Sequence, residues 1–197
     1  MDNYVYIIGN KIYINLTNRC SNNCDFCIRH GRQGMADTTL WIKDEPDAED
    51  VIGQLPQNLE DYDSEVVFCG FGEPTYNLDT LEEVASYLHC VDKTTRINTN
   101  GQANLIHGED VTDVIVDSCD VINVSLNECT ADKYHQHCKS IFGTAAFDEM
   151  LNFAKLCKQR GGNVIFSVVD VIGEKDVAAC QKLANSLHIP LRVRVKE

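Results

Sequence analysis

Hydrophobic residues along this chain follow two periods, one of two residues and one of three to four. Stretches with the two-residue period are short and rich in β-branched residues, which is typical of strands. There are six of them: Lys11–Leu16, Glu65–Cys69, Thr95–Thr99, Val121–Leu126, Val164–Val171 and Leu191–Val195. Between them apolar residues recur every three or four positions, which predicts helices. These predicted helices cover Ala48–Leu59, Leu78–Leu88, Glu109–Ser118, Phe147–Arg160, where Gly161 and Gly162 end the helix, and Val177–Leu187.

The alternation of strands and helices predicts an α/β fold in which helices cover a parallel sheet. Six strands are too few for the closed eight-stranded barrel. The pattern therefore leaves an open six-stranded partial barrel or a doubly wound sheet. In both architectures ligands bind at the carboxyl ends of the strands, so the residues that follow each strand are the first candidates for chemistry.

One strand shows separate polar and apolar faces. Period two places Asn123, Ser125 and Asn127 on one side of the fourth predicted strand and Ile122, Val124 and Leu126 on the other. We expect the polar face to line a lumen and the apolar face to pack against helices. An edge strand with one solvent-exposed face is the weaker interpretation, because the fourth of six strands is expected inside the sheet.

Length and charge narrow the classes of function. With 197 residues the chain can form one substantial core, and we expect a single domain over residues 1–197. It carries 30 acidic and 17 basic residues, a formal net charge of −13, which argues against broad binding to nucleic acid or anionic lipid. No stretch approaches the roughly 20 apolar residues of a membrane span, and the first residues lack the basic segment of a secretory signal. We expect a cytoplasmic protein with no membrane contact.

Ten cysteines are many for a chain of this size. In a reducing compartment they indicate metal or redox chemistry rather than disulfides. Cys20, Cys24 and Cys27 share the loop after the first strand, with the spacing Cys-x-x-x-Cys-x-x-Cys. Three thiolates on one short loop suit three corners of a 4Fe–4S cube, and one iron would stay open to an outside ligand. The alternative is a zinc site completed by a distant Cys or His, although no second short cysteine pair follows.

The remaining cysteines give weaker signals. Five of them fall on apolar faces of predicted elements, where we expect small core residues: Cys69, Cys90, Cys119, Cys157 and Cys180. Another group would form an auxiliary metal site only if its side chains converged: Cys129, His135, His137 and Cys138. Their spacing matches no metal motif, so isolated side chains are the better interpretation.

Five segments, in order along the chain, resemble the radical S-adenosylmethionine (radical SAM) superfamily. The first is the cysteine loop, with Phe26 just before the third cysteine. The others end strands two, three and four and form strand five: Gly70-Phe71-Gly72-Glu73-Pro74, Asn98-Thr99-Asn100-Gly101, Ser125-Leu126-Asn127 and Val164–Val171. Phe71 stands where the family has the first of two adjacent glycines. The resemblance spans nearly the whole chain and favours an open six-stranded parallel (βα)6 partial TIM barrel.

The resemblance implies two cofactors, a 4Fe–4S cluster and S-adenosylmethionine (SAM). It places the cluster on Cys20, Cys24 and Cys27, within a cluster loop of residues 18–32. The SAM contacts that it implies come from Phe26, Gly72, Glu73, Thr99, Asn100, Ser125 and Asn127. The implied reaction is a one-electron cleavage of SAM to methionine and a 5′-deoxyadenosyl radical, which abstracts hydrogen from a substrate.

Two arginines near the end of the chain suggest a substrate contact. Arg192 and Arg194 share one face of the last predicted strand, and guanidinium groups bind carboxylate or phosphate through paired hydrogen bonds. If that face lines the cavity, either side chain would hold an anionic group of the substrate or of methionine. A solvated edge strand protected by charge is an equally open alternative.

These features leave three functions open. A radical SAM enzyme acting on a peptide or protein segment is favoured, and one acting on a small anionic metabolite or nucleobase is the alternative. The third is a non-catalytic iron–sulfur module for electron transfer or sensing, which would not need the segments around Glu73 and Ser125. The enzyme would require a one-electron donor such as flavodoxin or ferredoxin, and an open cavity would suit a macromolecular substrate or a capping subunit. The cluster loop is most similar to that of the radical SAM proteins associated with TatD-type nucleases.

Overall fold

One seven-stranded sheet organises the chain, in a computed structural model that describes residues 2–35 and 37–195. The strands are β1 (Val5–Ile8), β2 (Lys11–Ile14), β3 (Gly34–Met35), β4 (Thr38–Thr39), β5 (Glu65–Phe68), β6 (Thr94–Thr99), β7 (Val121–Ser125), β8 (Val164–Val169) and β9 (Leu191–Arg194). Their order in the sheet is β1-β2-β5-β6-β7-β8-β9, and β3 pairs with β4 as a separate hairpin. Strands β2 and β5 to β9 are parallel, whereas β1 is antiparallel to β2.

Helices connect the parallel strands and cover one side of the sheet. They are α1 (Ala48–Gln54), α2 (Leu78–Cys90), α3 (Ala103–His107), α4 (Thr112–Ser118), α5 (Ala131–Cys138), α6 (Ala145–Gln159) and α7 (Glu174–Ser186). Short 3-10 turns lie at Leu59–Asp61, Pro74–Asn77 and Asp170–Ile172. The longest helices present apolar stripes to the sheet, so that Leu81 of α2 and Phe153 of α6 are fully buried with Ile97 of β6 in one core.

The six predicted strands all form, and they are the six parallel strands of the sheet. The α/β partial-barrel class is therefore confirmed, with β1 as one additional, antiparallel strand. Gly9 and Asn10 join β1 to β2, and Gly9 has a φ of +62°, the left-handed conformation that a two-residue hairpin turn requires. This Gly-Asn pair between two alternating stretches is the sequence signal for the extra strand.

Several helices differ from their predicted bounds. Helix α1 ends at Gln54 rather than at Leu59, because Leu55 is extended, with a ψ of 144°, before Pro56. Helix α4 begins at Thr112 rather than at Glu109.

Helices α3 and α5 have no predicted counterpart. Helix α5 buries only Tyr134 and Cys138, so no apolar stripe marks it. Its signal is a cap, since the Thr130 hydroxyl accepts a hydrogen bond from the backbone N–H of Lys133. Helix α3 has five residues, of which only Ala103 is buried, which is too little for a periodic pattern.

Strand β7 has the two faces that its sequence predicts. Ile122 and Val124 are fully buried in the core. On the opposite face the Asn123 amide donates to Asn98 of β6 at 3.1 Å and to Ser167 of β8 at 3.2 Å. Because β7 lies between β6 and β8 in the sheet, this polar face belongs to a lumen and not to a solvated edge.

Three of the five predicted core cysteines are buried, namely Cys119, Cys157 and Cys180. The prediction is wrong for the other two. Cys90 is exposed at the last position of α2, beyond the end of the buried stripe. Cys69 is half-buried and borders the lumen, because Phe68 before it points into the core and strand side chains alternate.

Candidate active site

A cavity of about 610 Å³ occupies the concave side of the sheet. Both edge strands contribute to it, with Tyr6 and Ile8 from β1 and Arg192 and Arg194 from β9. The sheet therefore curves far enough to bring its two edges to one cavity without closing. The size lies within the range of about 300–1,000 Å³ that is usual for small-molecule sites.

The loop with the three cysteines closes one end of this cavity, where Phe26 and Cys27 are part of the lining. The backbone N–H of Cys27 donates to the Cys24 carbonyl at 3.1 Å, which tightens the loop into a turn. Two donors approach the Cys20 sulfur: the Asn22 backbone N–H at 3.4 Å and the Asn100 amide at 3.9 Å. N–H···S hydrogen bonds of this kind stabilise thiolate charge around iron–sulfur clusters.

The three thiols are neutral in the metal-free chain. Burial raises the pKa of Cys20 to about 12 and also raises the pKa of Cys27. The pKa of Cys24 is raised above its usual range by a hydrogen bond with Cys138 and by burial. The Arg29 guanidinium acts in the opposite direction on all three thiols. Metal binding to these sulfurs therefore has to displace protons.

The C-terminal end of α5 holds the cluster loop through its backbone. The N–H groups of Asn23 and Asp25 donate to the carbonyls of Cys138 and His137, both at 2.9 Å. Just beyond the helix, the Ile141 N–H donates to the Ser21 carbonyl at 2.9 Å. The sequence did not predict this contact between α5 and the cluster loop, because it did not predict α5.

A buried polar network continues this contact inside the protein. The fully buried Tyr134 hydroxyl accepts hydrogen bonds from the amides of Asn22 at 3.0 Å and Gln102 at 2.9 Å. Gln102 also donates to the Asn22 side-chain oxygen at 2.9 Å and accepts from the Ser140 hydroxyl at 2.8 Å. Each of these groups has a partner, so the network fixes the start of the cluster loop in one position.

Glu73 joins two of the predicted segments. Its carboxylate is 3% exposed and accepts hydrogen bonds from the Thr99 hydroxyl and the Asn100 backbone N–H, both at 2.6 Å, and from the Thr75 hydroxyl at 2.9 Å. Burial raises its pKa in spite of these donors. The Asn100 amide also reaches the Ser21 hydroxyl at 2.8 Å, so Glu73, Thr99 and Asn100 are directly linked to the cluster loop.

Gly72 has a packing role that the sequence did not reveal. A Cβ at this position would lie 2.2 Å from the Thr17 carbonyl oxygen and 2.6 Å from that of Arg19. The neighbouring Glu73 N–H donates to the same Arg19 carbonyl at 2.7 Å. The glycine therefore allows close contact with the start of the cluster loop, and contact of Gly72 with SAM stays a prediction.

Ser125 and Asn127 end β7 at the same edge of the sheet. Ser125 is half-buried, and Asn127 is buried with a φ of +57°. The Asn127 amide approaches the sulfur of Cys138 at 3.9 Å, and the Cys138 thiol in turn forms a hydrogen bond with the Cys24 thiol. The Asn127 Oδ1 atom is buried and has no hydrogen-bond partner within residues 2–35 and 37–195.

The cysteine loop and the segments around it are thus assembled at one end of a partial barrel, and comparison with protein families agrees with this arrangement. The family model of the radical SAM superfamily matches residues 14–181. The chain belongs to the radical SAM superfamily. Members use a 4Fe–4S cluster and SAM as cofactors. No curated protein matches the chain.

Solved structures with the same fold include several radical SAM proteins. SuiB from Streptococcus suis, bound to S-adenosylmethionine, has a TM-score of 0.69 and 17% identity, over 94% of this chain and 38% of that one. TYW1 with a lysine-pyruvate adduct has a TM-score of 0.66 and 17% identity, over 95% of this chain and 65% of that one. A radical SAM methyltransferase from Sphaerobacter thermophilus has a TM-score of 0.66 and 13% identity, over 97% of this chain and 68% of that one. This radical SAM chain therefore spans well under half the length of SuiB.

The residues of this radical SAM domain fit the two cofactors. The cluster loop offers three thiols with N–H donors at the Cys20 sulfur. The unpartnered Asn127 Oδ1 is an acceptor for a hydroxyl or amino group, and an unpaired buried oxygen costs about 1–3 kcal/mol unless a ligand satisfies it. Phe26 adds an apolar surface to the cavity beside Cys27.

The other predicted groups lie in two places, the cavity wall and the neighbourhood of α7. The sequence left two positions open for Arg192 and Arg194, a cavity wall and an edge strand. The structure shows both, because the two arginines line the cavity and belong to edge strand β9. Cys129 contacts Asp176 at 3.8 Å, away from the cluster loop. Within the described residues no three His, Cys, Asp or Glu side chains converge as they would around a single metal ion, and no helix there is long and apolar enough to cross a membrane.

Proposed function

We propose that Cys20, Cys24 and Cys27 hold a 4Fe–4S cluster whose open iron binds the amino acid end of SAM. Bound together, these cofactors supply the reductive cleavage of SAM to methionine and a 5′-deoxyadenosyl radical that abstracts hydrogen from the substrate. The observation that carries the proposal is Asn100, whose amide contacts Cys20 and Ser21 while its backbone N–H binds Glu73. One residue thus connects the proposed cluster ligands to the proposed methionine site.

The chain's own residues position SAM and exclude water. Oε2 of Glu73 accepts one hydrogen bond, from Asn100, and keeps capacity for the methionine ammonium group. Thr99 and Asn100 hold that carboxylate in place, and Gly72 brings its segment against the cluster loop. Asn127 and Ser125 offer acceptors to the ribose hydroxyls, and Phe26 shields the cavity next to Cys27.

We propose a peptide or protein segment as the substrate. The cavity reaches the gap between the two edge strands, where Ile8, Val193 and Val195 are exposed apolar side chains. Such an opening admits an extended chain from the side. Among the similar structures, anSMEcpe has been solved with both SAM and a peptide bound. The second candidate is a small anionic metabolite, which Arg192 and Arg194 in the lining favour.

A one-electron donor such as flavodoxin or ferredoxin would reduce the cluster, and a capping subunit would complete the open side of the cavity. We place the protein in the cytoplasm, where reduced thiols and such donors occur together. Its place among the TatD-associated radical SAM proteins stays a prediction from the cluster loop.

Anaerobic reconstitution with iron and sulfide, followed by dithionite and SAM, tests this proposal. We expect 5′-deoxyadenosine and methionine in equal amounts. Asn127→Ala should weaken SAM binding at least tenfold, whereas Asn152→Ala, which removes an exposed amide on α6, should not. A fully loaded cluster that yields no 5′-deoxyadenosine would favour the electron-transfer or sensing module, and zinc in place of iron would exclude the cluster altogether.

A further inference from the structure

A continuous chain of polar side chains crosses the lumen below the cluster loop. The Arg96 guanidinium pairs with Glu65 at 3.1 Å and donates to the Asn98 side-chain oxygen at 3.1 Å. The Asn123 amide donates to the same Asn98 oxygen and to the Ser167 hydroxyl. Glu65 compensates the positive charge of Arg96 at one end of this polar chain, while the other end reaches β8.

Asn123 leaves one acceptor unused in this polar chain. Its side chain is 2% exposed and borders the cavity, and both of its side-chain hydrogen bonds are donated by the amide nitrogen. The Asn123 Oδ1 atom has no partner in the described part of the chain. A buried carbonyl of this kind indicates a donor that is brought by a ligand or by water.

Arg192 supplies a positive charge in the wall of the same cavity, two strands away from Asn123. In the register of β8 and β9 it lies opposite Ser167, the residue that binds Asn123. Its side chain is exposed to the cavity, and it forms no hydrogen bond or ion pair with any of the residues described. In a protein with a net charge of −13, an arginine without an acidic partner in a cavity is a selective site for an anion.

We propose that Asn123, Ser167 and Arg192 form a substrate subsite for a carboxylate that carries an O–H or N–H donor on its α-carbon. Arg192 binds the carboxylate and the Asn123 oxygen accepts the donor, while the buried Ser167 hydroxyl holds the Asn123 amide in place. A guanidinium with no acidic partner among the described residues matches the single charge of a carboxylate. The inference rests on the proposed function and specifies the chemistry of its substrate.

Two sources present this chemistry, a free hydroxy acid and the C-terminal residue of a peptide. Calorimetric titration of the SAM-loaded, unreduced holoenzyme separates them, with L-lactate in one arm and N-acetyl-alanyl-alanine in the other. Propionate, which lacks the hydroxyl, and the C-terminal amide of the peptide are the matched controls. We expect at least one acid to bind about tenfold more tightly than its control, and the arm that does so identifies the source.

Variants locate the binding within the cavity. Arg192→Gln should weaken the binding of that acid about tenfold, while Lys182→Gln, which removes an exposed charge on α7, should leave it unchanged. Asn123→Ala should abolish the preference for the acid that carries the donor. Because Arg192 lies on an edge strand and is exposed, its variant is expected to fold, and iron content and circular dichroism check this.

The subsite would be overturned if no acid bound better than its control, if Arg192→Gln bound the acid as well as the native protein, or if both charge variants lost affinity equally. A tenfold loss of SAM affinity in Arg192→Gln would assign the anion to the cofactor and overturn it as well. The titration uses no reductant, so it is independent of SAM cleavage. A protein that binds the acid but forms no 5′-deoxyadenosine would refute the proposed function and leave the subsite standing.

Discussion

The phenol oxygen of Tyr134 accepts a 3.0 Å hydrogen bond from the Asn22 amide, across 112 positions of the chain. Helix α5, which contains Tyr134, buries only one other side chain, Cys138. Both buried residues face the cluster loop, Tyr134 through Asn22 and Cys138 through Cys24. The helix therefore positions the proposed cluster ligands more than it contributes to the apolar core.

Removing the Tyr134 hydroxyl should loosen the cluster loop. In Tyr134→Phe the buried amides of Asn22 and Gln102 lose a shared acceptor, which should lower the free energy of unfolding by about 1–3 kcal/mol. Urea denaturation measures this loss, and iron content after reconstitution should fall with it. Tyr87→Phe, at an exposed position of α2, is the control. Equal stability of the two variants would show that the network is dispensable.

Each of the three loop cysteines should be required for the cluster. Serine at position 20, 24 or 27 removes one of three thiolates, and we expect iron content and the visible absorption of the cluster to fall to background. Cys90→Ser, which changes an exposed thiol at the end of α2, should retain both. If any of the three loop variants kept a full 4Fe–4S cluster, the assignment of that cysteine would be wrong.

Gly72 should tolerate no side chain. The Cβ of Gly72→Ala would meet the carbonyl oxygens of Thr17 and Arg19 at 2.2 and 2.6 Å. Because both atoms are backbone, the cluster loop must shift, and we expect a loss of about 1–3 kcal/mol in the free energy of unfolding. Gly53→Ala, in α1 with nothing within 4 Å of the new Cβ, should stabilise by up to about 1 kcal/mol. Similar stabilities for both variants would contradict the packing role.

The buried carboxyl of Glu73 should make the metal-free protein less stable as pH rises. Burial raises its pKa in the folded state above the ordinary value of 4.5, so the folded state binds the proton more tightly than the unfolded state. The stabilisation from the Glu73 carboxyl is complete below pH 4.5, and it is lost as the pH rises toward the folded-state pKa.

Comparison with Glu73→Gln isolates this titration from those of other acids. The free energy of unfolding of the native protein, minus that of the variant, should fall with increasing pH above 4.5. The variant loses part of the hydrogen bonding at every pH, which shifts the difference by a constant. A difference that rises with pH would mean that the hydrogen bonds from Thr99 and Asn100 outweigh burial.

Local pattern was enough to predict the six parallel strands, the polar face of β7 and the cysteine loop. Each depends on residues close together in sequence, where strand period and side-chain chemistry act directly. Strand β1 and helix α5 were missed because a hairpin turn and a helix cap are one- or two-residue signals, weaker than a periodic pattern.

Only the tertiary structure decided which of these residues meet. Glu73, Asn100 and Cys20 come from three separate strand ends, and the parallel sheet brings them within hydrogen-bonding distance. Asn123 and Arg192 line one cavity wall, although their sequence neighbours give no sign of it. Distances across a sheet depend on strand order, register and curvature, and none of these is encoded in the residues next to the site.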